Sequence, residues 1–193
     1  MPHILNHPTR HLLAVSALVL SVTMCYFQLP VNADTYSTIK IPALNIDTGL
    51  NYGSHANLND MAEKILYNPV LDVEYSYDLC SIGHNTYIAG HSAPALKWQN
   101  KYPAVRVFQD LNALQMGDTI NAARNDGQNC SYKVTDVRKF RSERIRDKSY
   151  RFPISVFKYL MEDDSEGKTT LTLQTCDPEP GVIIAVKAEL VQN

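Results

Sequence analysis

Residues 171–180 read LTLQTCDPEP, and a glycine follows at 181. Period-2 geometry puts Leu171 and Leu173 on one face of a strand and Thr172, Gln174 and Cys176 on the other. The leucines are expected to fill a core. Two prolines and Gly181 then force the chain off the sheet directly after the cysteine. A nucleophile needs a fixed backbone beneath it and open space in front of it, and a strand end followed by a breaker provides both. The competing reading is a small buried hydrophobe, the ordinary fate of a cysteine after an apolar strand.

Working outward, the same short apolar or alternating runs recur: TIKIPALNIDTGL (38–50), TYIAGH (86–91), GDTINAA (117–123), CSYKVTDVRKF (130–140) and VIIAVKAELV (182–191). Asn, Asp, Gly and Pro bound them, which predicts strands in a closed or sandwich-like all-β body rather than a doubly wound sheet. Three segments have helical patterning. LNDMAEKILY (58–67) carries Asn59 or Asp60 as a cap, while YPAVRVFQDL (102–111) and FPISVFKYLM (152–161) place Pro103 and Pro153 at a first helical position. They are read as short connectors packed on the β body.

The N-terminus differs from everything after it. Leu12–Val31 is a twenty-residue run without a charge, preceded by Arg10. As a helix it measures ~30 Å, the thickness of bilayer hydrocarbon. It reads as a membrane anchor or as a cleavable secretory peptide ending near Val31–Ala33, and both deliver Asp34–Asn193 outside the cytoplasm. The expected division is therefore 1–33 as signal-anchor or signal peptide and 34–193 as the catalytic domain.

Composition supports a globular chain of 193 residues, 45% hydrophobic and 20% charged, with net charge −2. That balance offers no basic face for nucleic acid. Cys80, Cys130 and Cys176 show no metal-ligand spacing, and neither a metal nor another cofactor is expected. In an exported domain a Cys80–Cys130 disulfide leaves Cys176 as the odd, reactive thiol. A thiol needs a base, and of six histidines His91 alone ends a strand, leaving through Gly90. The acidic stretch 161–167 is read as a solvated turn.

Five landmarks in order carry a family resemblance: IKIPALNI (39–46), IAGHS (88–92), VFQDLNALQMGDTI (107–120), YKVTDV (132–137) and TLQTC (172–176). Together they resemble the sortases over most of residues 36–191. The resemblance implies a closed, eight-stranded β-barrel preceded by an N-terminal membrane helix, with Cys176 as nucleophile, His91 as proton donor and Thr175 beside the substrate. It also implies a membrane-tethered, extracytoplasmic transpeptidase. Such an enzyme cleaves a Leu-Pro-x-Thr-Gly-like signal at the C-terminus of secreted proteins and passes the thioester to an amine of a cell-wall precursor or a pilin lysine.

The family's arginine on the strand after the cysteine has no counterpart, since Val182 falls at its position. Lys187 is expected on the opposite face from Val182, and Arg138, Arg141, Arg144, Arg146 and Arg151 are the cations available to replace it. Losing an oxyanion donor slows turnover by ~100- to 1000-fold, which leaves a sortase-shaped peptide-binding module as the alternative.

Overall fold

The computed structural model describes residues 37–53, 64–65, 68–74, 76–92, 107–144, 150–164 and 166–191. The chain separates into Met1–Ala33 and Asp34–Asn193, and every described residue lies in the second unit. The Leu12–Val31 run thus lies outside the described residues. Among the described residues no helix is long and apolar enough to cross a membrane.

Eleven strand segments follow in order: β1 (Thr38–Ile41), β2 (Ile46–Gly49), β3 (Asn51–Gly53), β4 (Val70–Asp72), β5 (Asn85–Ala89), β6 (Thr119–Ala123), β7 (Asn129–Arg141), β8 (Glu143–Arg144), β9 (Tyr150–Arg151), β10 (Thr170–Cys176) and β11 (Val182–Leu190). One helix, α1 (Ile154–Met161), and short 3₁₀ turns at Pro42–Leu44 and Leu111–Ala113 connect them. Nine segments form one sheet in the order β2-β1-β6-β7-β11-β10-β5-β4-β3, and β8 pairs with β9 apart from it. Its two edges, β2 and β3, are separated in sequence by Leu50 alone, so the nine segments make eight chain passages and the backbone itself joins the edges. Every strand read from the sequence is present. The additional ones, β3, β4, β8 and β9, have two or three residues, too few to show a period.

Alternation along β10 sorts two cores. Leu171 and Leu173 face inward with Ile39, Ile88, Phe108, Ile120, Tyr132, Ile184 and Val186. Fully burying a leucine contributes ~1.5–3 kcal/mol, so this face fixes the register of the strand. The outer face of β5, β10 and β11 is also covered: Tyr87, Ala89, Ile183 and Ala185 pack under Val156 and Leu160 of α1. This second layer explains why VIIAV in β11 reads as an unbroken apolar run, since strands buried on both faces lose their alternation.

Pro153 precedes α1 as its N-cap, one position earlier than the sequence suggests. The helix expected around Pro103 is described only from Val107, where the chain forms a turn and then the Leu111–Ala113 3₁₀ turn. Of the 58–67 segment only Lys64 and Ile65 are described. Asn85 locks α1 to the sheet. Its amide donates to the Leu160 carbonyl (2.9 Å) and accepts the Thr170 and Thr172 hydroxyls (2.9 and 2.8 Å), while its backbone N–H reaches Asp163 (2.7 Å).

At the start of β7 the disulfide Cys80–Cys130 is formed, and Cys176 is the free cysteine among the described residues.

Candidate active site

β5 and β10 run parallel, with Thr170 opposite Asn85 and Gln174 opposite Ala89. Carrying that register two residues onward brings Cys176 level with His91. Parity then puts both on the outer face, with Thr172, Gln174, Tyr87 and Ala89, and away from the leucines. The contact persists past the ladder: Gly90 N–H donates to the Gln174 carbonyl (2.9 Å), the Thr175 hydroxyl to the Gly90 carbonyl (2.9 Å), and the Ser92 hydroxyl to the Cys176 carbonyl. Two residues 85 positions apart in sequence are thus neighbours on adjacent strand ends.

Gly90 has a specific task here. A Cβ on it would lie 2.2 Å from the Phe108 ring, and the Phe108 N–H donates to the His91 carbonyl (3.1 Å). The absent side chain admits an aromatic ring that seals the barrel under the histidine. His91 is half-buried, and its Nε2 is shielded from solvent.

Cys176 is exposed as a residue, yet loss of hydration around its sulfur pushes the thiol above its ordinary value. The resting sulfur therefore carries its proton at neutral pH, and attack requires a group to take it. On the outer face Cys176 is flanked by Ile183, its partner on β11, which in turn pairs with Phe140 of β7. Gln174 below it accepts the Tyr87 hydroxyl (2.5 Å), and burial holds that phenol protonated.

The turn after Cys176 is braced from β7. Lys139 pairs with Asp177 (2.8 Å), and Arg141 makes a two-pronged contact with Glu179 (2.5 and 3.0 Å). The Ser142 N–H and hydroxyl both donate to the Gly181 carbonyl (2.8 Å each). Asp177 N–H closes the hairpin on Val182 (2.9 Å), and Gly181 takes the left-handed conformation (φ 75°) that the turn requires.

Thr175 is fully buried on the inward face, its hydroxyl engaged by Gly90. Val182 is buried and stands opposite Arg141 of β7. Lys187 lies on the outer face, as expected from its parity, but level with Thr172, which is roughly 13 Å down the strand from Cys176 at ~3.3 Å per residue. There its ammonium lies 5.2 Å from the Tyr159 ring, and burial lowers its pKa. Arg138 also leans on Tyr159 (4.9 Å) and pairs with Asp136 (2.5 Å), away from the cysteine. Arg151 is exposed on β9, and Arg146 lies outside the described residues. Among the described residues no cluster has the composition of a metal site.

Sequence reasoning missed the parts that bear on geometry rather than chemistry: Ser92, Lys139, Asp177 and Glu179. The charged pair in DPEPG was visible as a turn, but its partners on β7 follow only from the β7–β11 register.

The family model described as a sortase domain matches residues 39–191. Among solved structures the chain is similar to sortase C-1 from Actinomyces oris, with 18% identity, 83% of this chain and 77% of that one covered, and a TM-score of 0.59. It is similar to the Group B Streptococcus pilus island 1 sortase C2, with 17% identity, coverage of 83% and 76%, and a TM-score of 0.60. A Clostridium perfringens sortase D5 transpeptidase gives 20% identity, coverage of 82% and 80%, and a TM-score of 0.55. At these identities the likeness to the solved structures is one of fold. No protein of curated function matches significantly.

Proposed function

The chain belongs to the sortase family, and on that premise we propose that it is a membrane-tethered cysteine transpeptidase with Cys176 as nucleophile and His91 as the proton carrier. The observation that supports this most is the parallel pairing of β5 with β10, whose register, carried two residues past Ala89 and Gln174, brings His91 level with Cys176.

His91 takes the thiol proton as the sulfur attacks a backbone carbonyl of a Leu-Pro-x-Thr-Gly-like sorting signal. The carbon–nitrogen bond breaks, the proton passes to the departing amine, and the acyl half stays on Cys176 as a thioester. An incoming amine, from a cell-wall precursor or a lysine of another secreted protein, then attacks the thioester. Its surplus proton returns through His91 to the sulfur. Thr175 supports the step from behind, spacing the strand ends rather than touching peptide. Residues 1–33 hold the enzyme at the membrane surface where its substrates are also held, which raises their effective concentration.

With Val182 in place of a guanidinium, less oxyanion stabilisation is available on β11, so turnover is expected to be slow rather than absent. The test is mass spectrometry of the full chain incubated with Leu-Pro-type peptides and hydroxylamine. A peptide hydroxamate that forms with wild type and is lost in Cys176→Ala supports acyl transfer. Retained peptide binding with no hydroxamate from any peptide contradicts it and marks a binding module.

A further inference from the structure

In a regular parallel ladder, the carbonyls of Gly90 and Cys176 would be met by backbone N–H groups of the opposing strand. Here each is met by a side-chain hydroxyl, Thr175 on Gly90 and Ser92 on Cys176. Both hydroxyls belong to residues of inward parity, and both residues are buried. The reactive side chains have the outward parity. The strand ends are thus tied together from the core side by side-chain hydroxyls, beyond the last backbone bond from Gly90 N–H to the Gln174 carbonyl (2.9 Å).

We propose that Ser92 is a positioning residue: its hydroxyl, seated on the Cys176 carbonyl, sets the separation and alignment of the Cys176 sulfur and the His91 imidazole. This rests on the transpeptidase reading of that pair. Ser92 follows His91 directly, so its bond fixes the backbone of the base and the backbone of the nucleophile in one contact. Removing the hydroxyl leaves a carbonyl under the nucleophile without its donor and lets the two strand ends drift. Misplacing reacting groups by about 1 Å costs on the order of 100-fold in rate.

Alkylation of Cys176 by iodoacetamide as a function of pH reads the sulfur–imidazole coupling without any peptide substrate. The full chain is compared with His91→Gln, Ser92→Ala and Ser92→Thr, alongside transpeptidation kinetics and thermal melts. His91→Gln is expected to change the pH profile of alkylation, Ser92→Ala to shift it toward that of His91→Gln, and Ser92→Thr to restore it. The kcat of Ser92→Ala is expected to fall by about 100-fold with KM nearly unchanged. A wild-type profile in Ser92→Ala beside an altered one in His91→Gln overturns the positioning role. Wild-type profiles in both overturn the cysteine–histidine reading beneath it. If Ser92→Ala melts below the assay temperature, Ser92→Val, the counterpart of Ser92→Thr without the hydroxyl, takes its place: a profile shifted toward that of His91→Gln supports the proposal and a wild-type profile overturns it.

Discussion

A thiol whose pKa burial has raised reacts through its small thiolate fraction, so Cys176 should alkylate steadily faster as the pH rises above neutrality, by up to about tenfold per unit. Stopped-flow labelling checks this, and a plateau near pH 7 would show a pre-formed thiolate instead. A strand ending on a cysteine and breaking at Pro178 marked Cys176 as a candidate against the ordinary alternative of a small buried hydrophobe, and the residue is exposed. His91 was a candidate on the same kind of signal, leaving its strand through Gly90. What those stretches hid was the reason for the glycine. Phe108 occupies the space that a Cβ at Gly90 would fill, and no local pattern connects the two positions.

At the level of elements, α1 depends on one buried amide. Asn85 holds the Leu160 carbonyl and two threonine hydroxyls, so Asn85→Ala strands three polar groups in a dry layer. Urea unfolding should register a loss of about 3 kcal/mol, and hydrogen exchange should rise in α1 first. An unchanged midpoint would mean that apolar packing of Val156 and Leu160 alone carries the helix. This layer was not readable beforehand. Strands and helices announce themselves by periodicity, but the pairing of β5 with β10 joins residues some 85 positions apart, and nothing in one sequence states it. The runs in β5 and β11 are apolar on both faces, which concealed the second core until α1 was seen to lie on it.

For the whole molecule, the disulfide Cys80–Cys130 closes a loop with a sequence separation of 50 at the start of β7, whose other end bears Phe140 and the braces on the Cys176 turn. Loop-closure entropy makes such a link worth about 4 kcal/mol. The Tm of the reduced or Cys80→Ala/Cys130→Ala chain should therefore drop well below that of the oxidised form, while Cys176 keeps its reactivity at low temperature. Equal melting of the two forms would contradict a stabilising role. A bridge of this kind is typical of oxidising compartments, in line with the exported domain that the N-terminal run predicts. Alternating runs predicted an all-β body and left a closed barrel and a sandwich open; the closed, eight-stranded barrel came with the family resemblance, and β2 and β3, one passage through Leu50, join the edges of the sheet.

The acyl-enzyme itself gives the most direct test. The full chain is mixed with a Leu-Pro-x-Thr-Gly peptide, quenched in acid and mapped by mass spectrometry. The predicted result is an adduct of the peptide's acyl half on the fragment that contains Cys176, released by hydroxylamine and much diminished in His91→Gln. A thiol that alkylates freely yet never carries that adduct would contradict the assignment of Cys176 and His91 as a transpeptidase pair.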